Sequence, residues 1–265
     1  MKNLRFVIVD YPKKNIADNS VKRFMGDMLQ AKQLNYERTD ENYVPFTDLD
    51  MISTHLFVYD TSNLFNPKQS LAIRICYESR CLQHNIPMPL ESYQQHLPPS
   101  LKSKLHIYQK DKDLIDCGSM YLDKNWAGKK AGIELIKMGY TMMISHILKL
   151  GKHSMMATTN ERFRVSRTLK GVGKFDPTNI FVHPKVNDKH LLVLMEQFDL
   201  GWLNKHYKKF ETLYKSRLEI LPLEQKDHGL IFNDHDLSGW LESSTIQPSV
   251  NLREESLKMR KLVAS

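Results

Sequence analysis

Cysteine is scarce in this chain, and what there is shows no pattern. Cys76, Cys81 and Cys117 are three residues at irregular spacing, with no Cys-x-x-Cys pair among them. An odd, unpatterned set argues against a disulfide frame and fits reduced thiols, so the expected compartment is the cytoplasm. There is no His-Glu-x-x-His and no Cys/His cluster at ligand spacing, and no metal site is expected. Long apolar runs are missing too. The longest, Ile133 to Leu150, is interrupted by Glu134, Lys137, His146 and Lys149, which makes it a buried helix rather than a membrane span. Residues 1–12, broken by Arg5 and Asp10, lack the apolar core of a secretion signal. No linker rich in Gly, Ser or Pro divides the chain, and no repeat is visible.

What is present is an ordinary globular composition. The 265 residues are 41% hydrophobic and 26% charged, enough for one sizeable core and too apolar for wholesale disorder. A folded domain is expected over residues 1–221, with a polar tail over residues 222–265. The formal charge of +8 favours an acidic partner, whether nucleic acid, an anionic membrane surface or an acidic protein. The cations are scattered from Lys102 to Lys209 rather than gathered in one arm, and a solvated surface accounts for them equally well.

Periodicity supplies an order of elements. Val21, Phe24, Met25, Met28 and Leu29 at helical spacing predict a helix over 20–35. Runs 54–59 and 70–77, separated by Asn63, Asn66 and Pro67, predict a hairpin. The proline-rich stretch 87–104 reads as a connection with at most a short helix. Then come a strand over 113–122, a helix over 132–150 stopped by Gly151, a strand over 154–159 and a helix over 161–169. Runs 179–183 and 190–198 read as a second hairpin, followed by a helix over 200–218. Strands alternating with helices, flanked by hairpins, predict an α/β (α+β) fold with a mixed central sheet between helices.

The most informative stretch is Asp116-Cys-Gly-Ser-Met-Tyr-Leu-Asp-Lys-Asn-Trp-Ala-Gly-Lys-Lys-Ala-Gly132: strand, basic glycine-containing loop, helix. Backbone N–H groups at a helix start have no internal partner and carry partial positive charge, so this order can hold an anionic group. An ordinary strand-to-helix turn shaped by Gly128 and Gly132 is the other reading of the same residues.

With the following strand 155–159 and the run Asn160-Glu-Arg-Phe-Arg-Val-Ser-Arg-Thr-Leu-Lys-Gly-Val-Gly173, this stretch resembles the GNAT superfamily of N-acyltransferases. Over roughly residues 20–200 the chain resembles the acyl-homoserine-lactone (autoinducer) synthases and the long-chain N-acyl amino acid synthases. The early helix, Asp48-Leu-Asp50, Ala72-Ile-Arg74, Ile115-Asp116 and Leu169-Lys-Gly-Val-Gly173 carry that likeness. Where the autoinducer synthases have Glu-x-Ser-Arg, this chain has Asp116-Cys-Gly-Ser119, without the arginine. The resemblance implies central strands that splay apart to admit a thioester. It also implies fatty acyl transfer from an acyl carrier protein or acyl-CoA, used as co-substrate, to a small amine, with no permanently bound cofactor.

Amine acylation needs a base, a polarised carbonyl and a clamp on the acceptor. Asp116 is the first candidate base, with a strand-end surface carboxylate as the alternative. Asp50 is the second, with a cap or turn role as its alternative. A backbone N–H in the Met120–Leu122 stretch, Tyr121 included, would polarise the carbonyl. Arg74, a lone charge in an apolar strand, would fix an acceptor carboxylate; otherwise it points outward. Leu122, Lys124, Trp126, Gly128, Lys129, Lys130, Gly132 and Asn160 are the expected donor-binding residues, and the lysines would also steer an acidic carrier protein. Met138, Met142, Met143, Met155 and Met156 either line an acyl pocket or belong to the core.

No Cys or Ser sits in a recognisable nucleophile setting, so direct transfer in a ternary complex is expected. Two other functions remain open: acetyl transfer from acetyl-CoA, and a non-enzymatic basic module presenting Arg162, Arg164 and Arg167 to nucleic acid or an acidic protein.

Overall fold

Runs of branched and aromatic residues, buried on both faces, build the centre of the molecule. A computed structural model describes residues 3–36, 46–109, 114–161, 165–183 and 187–222. In chain order the elements are β1 (Leu4–Asp10), a 3-10 turn (Pro12–Asn15), α1 (Asn19–Tyr36), α2 (Asp48–Ile52), β2 (Thr54–Asp60) and β3 (Lys68–Tyr77). Then follow α3 (Glu78–His84), α4 (Glu91–Gln94), α5 (Pro99–Gln109), β4 (Ile115–Leu122), α6 (Lys130–Lys149) and β5 (Met155–Asn160). The remainder is α7 (Val165–Val172), β6 (Ile180–Val182), β7 (Lys189–Met195), α8 (Leu200–Lys215) and β8 (Leu218–Ile220).

The strands form one eight-stranded mixed sheet in the order β6-β7-β5-β4-β3-β2-β1-β8. β1 to β4 are antiparallel neighbours, and so are β5, β7 and β6. β4 and β5 run parallel, and they meet at a single register position, Asp116 opposite Met156. Beyond that point the two strands part. The sheet is therefore split at its centre, as the sequence reading expected.

Two further features shape the split. Between Ala72↔Tyr121 and Arg74↔Gly118 the β3–β4 register shifts, so Ser119 and Met120 both face Ile73 in a bulge, with Ser119 at φ 52°. Such a bulge bends its strand and re-aims the groups around it. Gly139 lets α6 lie close to the sheet, since a Cβ there would come within 2.3 Å of the Leu71 Cδ2 atom.

One face of the sheet is covered by α6 and α8, through Leu135, Met138, Met142, Met143 and Phe210 against Phe6, Ile8, Leu56, Leu71 and Ile73. The other face has two separate apolar clusters. Val21, Phe24, Met25 and Met28 of α1 pack on Val9, Phe57, Ala72 and Tyr121. Leu101, Leu105 and Tyr108 of α5 pack on Cys76, Leu114, Met156 and Leu192. Met138, Met142, Met143, Met155 and Met156 are all core residues, on both sides of the sheet.

The structure corrects the sequence reading at several elements. Leu4–Asp10 is an interior strand, between β2 and β8: it is buried on both faces, so it shows no alternation to read. The 87–104 connection contains the greater part of α5, where Leu101, Leu105 and Tyr108 recur along one face behind a proline at the first helical position. α3 is a further helix that the apolar spacing does not announce. The last helix stops at Lys215, and Leu218–Ile220 adds β8 beside β1. The expected helix over 161–169 lies at Val165–Val172. Arg162, Arg164 and residues 223–265 of the expected tail lie outside the described residues.

Candidate functional site

The gap between the two apolar clusters on the α1/α5 face is filled by charge. Along β3 the inward positions read Ala72, Arg74, Cys76; on the neighbouring chain segment they read Leu114, just before β4, then Asp116 and Gly118 in β4. Ala72 belongs to the α1 cluster, and Cys76 and Leu114 to the α5 cluster. Arg74 and Asp116 lie between. Across the sheet Arg74 stands opposite His55 on one side and Gly118 on the other, and Asp116 stands opposite Cys76. Arg74 and Asp116 are thus diagonal neighbours on one face, within reach of each other's charge.

Asp50 joins them from α2. Its Oδ1 accepts from the Lys32 Nζ at 2.8 Å and from the Arg74 Nη1 at 3.1 Å. Its Oδ2 accepts from the Thr47 backbone N–H at 2.9 Å and faces the Thr47 hydroxyl at 3.3 Å, which closes a capping box at the start of α2. The cap reading of Asp50 holds: one oxygen caps a helix, and the other anchors two cations. The His55 Nε2 donates to the Asp50 carbonyl at 2.7 Å, and burial pushes His55 down to about 4, so its ring is neutral at pH 7.

The result is a buried line of alternating charge: Lys32, Asp50, Arg74, Asp116. Burial alone would raise the Asp50 carboxyl, but Lys32 and Arg74 outweigh it and hold the group well below the usual carboxylate range. Burial lowers Lys32, with Asp50 opposing. Asp116, at the far end, is different. It is 3% exposed, burial pushes its carboxyl up to about 6, and Arg74 restrains the rise only in part. Asp116 is poised to take up or release a proton near neutral pH.

Its position is as informative as its acidity. Asp116 is the one β4 residue that pairs with β5, so its carboxylate stands where the sheet begins to split. Gly118 leaves it room: a Cβ there would stand 3.1 Å from the Asp116 Oδ1 atom. Just beyond, Gly118, Ser119 and Met120 are half-buried at the bulge. The Arg74 side chain keeps 13% of its surface exposed, and its Nε is buried without a hydrogen-bond partner among the described residues.

The donor-binding candidates lie at the other end of β4. Asp123 donates its N–H to the Ser70 carbonyl, and its carboxylate accepts from the Asn125 N–H and the Tyr121 hydroxyl. The Tyr121 side chain is thereby tied to the loop. Gly128 adopts φ 73°, a conformation that favours glycine. Gly132 cannot carry a side chain, since a Cβ would fall 2.0 Å from the Trp126 carbonyl oxygen. Lys129 is the N-cap of α6 and makes no side-chain cap. Lys124, Lys129 and Lys130 are exposed, whereas Trp126 and Leu122 are half-buried against the main core. Asn160, at the end of β5, donates to the Asp188 carboxylate at 3.0 Å.

Asp50, Arg74 and Asp116 are thus brought together, and the loop residues form a second group downstream on the same strand. The sequence reading missed Lys32 and His55. A lysine on the apolar side of an amphipathic helix was the available signal for Lys32, and His55 had none.

No protein-family profile matches the chain. No curated protein matches it either. Solved structures do. A CoA-dependent acyl-homoserine lactone synthase, BjaI, solved with SAM and isopentyl-CoA, superposes with a TM-score of 0.52 at 8% identity, over 78% of this chain and 90% of that one. The fold is that of the acyl-homoserine-lactone synthases. BjaI with MTA superposes over the same shares at a TM-score of 0.50. FeeM, an N-acyl amino acid synthase from uncultured soil microbes, aligns at 14% identity and a TM-score of 0.46, over 73% of this chain and 91% of its own. The GNAT-like mixed sheet between helices, with parted central strands, agrees with the sequence reading.

Proposed function

We propose that this chain is an N-acyltransferase that moves a fatty acyl group from a thioester donor to the amine of a small amino acid or related metabolite. The donor is an acyl carrier protein or acyl-CoA. The observation that carries the reading is Asp116: a buried carboxyl raised to about 6, at the point where the central strands part, beside Arg74, whose Nε is buried without a hydrogen-bond partner among the described residues.

The geometry supports the following chemistry. Where β4 leaves β5, the strand edges carry backbone groups that no longer pair with each other, and an extended donor arm containing amides can pair with them. The loop 123–132, with Lys124, Lys129, Lys130 and the first amides of α6, then lies where the donor's anionic end emerges. Arg74 holds the acceptor's carboxylate. Asp116 takes a proton from the acceptor ammonium, directly or through one water, and the neutral nitrogen attacks the thioester carbon. The oxyanion develops at the bulge and is met there by backbone N–H groups. The C–S bond breaks as the C–N bond is completed, and the leaving thiolate is protonated. The products are an amide and a free thiol.

BjaI supports this reading as a neighbour in fold that acts with CoA. The acidic carrier protein is the preferred donor, because the exposed lysines around the loop suit an acidic partner. Acetyl transfer from acetyl-CoA is the alternative. The purified chain is to be given acyl carrier protein and acyl-CoA donors of several lengths with a panel of amino acids, and the products identified by mass spectrometry. An N-acylated amino acid with equimolar thiol is expected. No acylated product from any donor would sink the proposal.

A further inference from the structure

The β2–β3 turn carries two large apolar side chains that the core does not use. Leu64 is 53% exposed and Phe65 is 72% exposed, the latter among the most exposed large hydrophobic residues of the molecule. The turn is a defined structure rather than a loose one. The Asn63 carboxamide oxygen accepts from the Phe65 N–H at 3.1 Å, and the Asn66 N–H donates to the Asn63 carbonyl at 3.2 Å.

Its place in the fold gives it a context. β3 starts at Lys68 just after the turn, β4 ends at Leu122 opposite Leu71, and the Asp123 N–H bonds to the Ser70 carbonyl. The turn and the basic loop 123–132 therefore leave the same end of the sheet side by side. Lys68, Lys124, Lys129 and Lys130 are exposed there, and so is Ile133, at 51%, in the first turn of α6. Three acidic residues share this end: Asp60 accepts from the Ser62 N–H, Asp123 accepts from the Tyr121 hydroxyl and the Asn125 N–H, and Glu134 is paired with Lys137 and Lys209.

We infer that this end of the molecule docks on an anionic lipid surface, with Leu64 and Phe65 entering the interface and the surrounding lysines meeting the headgroups. An exposed apolar patch rimmed by polar residues marks an interaction site. A projecting turn tip offers no walls to grip a protein surface, whereas a fluid interface closes around it. The lysines supply the charge complementarity to an anionic leaflet. The inference deepens the acyltransferase reading, on which it rests for its purpose: a long-chain N-acyl product is amphiphilic, and the docked end is the one where the donor enters.

The test uses the full chain and vesicles, so it does not depend on turnover. Phe65→Trp is to be titrated with phosphatidylcholine vesicles and with phosphatidylcholine/phosphatidylglycerol vesicles, alongside co-sedimentation of the unaltered chain and of a Leu64→Asn/Phe65→Asn variant. The unaltered chain, titrated in parallel, supplies the emission of the native tryptophans for subtraction. Expected is a blue shift in the emission of the introduced tryptophan with the anionic vesicles only. Partitioning should fall about tenfold or more in the double variant. It should also weaken as ionic strength rises from about 0.1 M to about 1 M, where the screening length shrinks from about 10 Å to about 3 Å. The inference is overturned if the double variant partitions like the unaltered chain. It is also overturned if the emission shifts with an acidic carrier protein and not with vesicles, which would make the turn a protein-docking element.

Discussion

At Asp116 the group proposed for function is also one that costs stability at neutral pH, and that opposition can be measured. An unfolded aspartate titrates at about 3.9, and the folded Asp116 at about 6. The folded state therefore binds this proton more tightly, and the stability it gives is full below about pH 4 and lost as pH rises through about 6. Asp116→Asn removes that loss. Relative to the unaltered chain it should gain about 2–3 kcal/mol at pH 8 compared with pH 4, read from urea denaturation at both values. The same substitution should lower turnover by about 10²–10⁴-fold. Asp50 behaves in the other sense: its depressed carboxyl stabilises the fold above the unfolded value, and this is lost as pH falls. Lys32→Met should cost about 3–5 kcal/mol, because it leaves Asp50 buried with one cation fewer; thermal denaturation checks it. Arg74→Met takes from Asp116 the one cation that restrains its rise, so any residual activity should show its acidic limb displaced above pH 6.

At the scale of elements, β4 is the strand on which everything turns. It pairs with β3 along its length except at the Ser119–Met120 bulge, pairs with β5 at one position and runs into the loop before α6. Gly118→Ala should displace the Asp116 carboxylate, since the new methyl would stand 3.1 Å from Oδ1. Turnover should fall while the melting temperature stays close to that of the parent, which a paired activity and melting measurement checks. Gly132→Ala meets a backbone oxygen at 2.0 Å and cannot be accommodated without moving the loop. It should destabilise the chain by about 1–3 kcal/mol and raise KM for the donor more than it changes kcat. The glycines that the sequence offered as an anion cradle or as an ordinary turn do form the turn: Gly128 through its φ, Gly132 through close approach. At the opposite end of the sheet, Arg80 grips Asp10 at 2.7 and 2.9 Å between the rings of Tyr11 and Tyr77. This second buried ion pair ties α3 to β1.

For the whole molecule, the readable part of the sequence was the part with a period. α1, α6, the two hairpins and β4 showed their apolar spacing and end signals, and their order was enough to expect a split mixed sheet. β1 was hidden because both its faces are buried, so its residues carry no alternation. β8 is too short to show any, and it exists only because β1 offers an edge. The site was legible in part for the same kind of reason. Asp116 and Arg74 stood out as charges in apolar strands, yet sequence could not tell a buried charge from an outward one. Register decided it, by placing Arg74 opposite Gly118 and Asp116 opposite Cys76. Lys32 comes from α1, far from β3 in sequence, and its part in the line of charge depends on how α1 lies on the sheet.

The central claim is that Asp116 acts as the base at the split. It is tested most directly by the pH dependence of kcat/KM for amine-dependent thiol release, measured on the unaltered chain and on Asp116→Asn. An acidic limb at about pH 6 is expected in the unaltered chain, matching the raised carboxyl, and a flat, much slower profile in the variant. An unchanged limb in Asp116→Asn, at an undiminished rate, would contradict it.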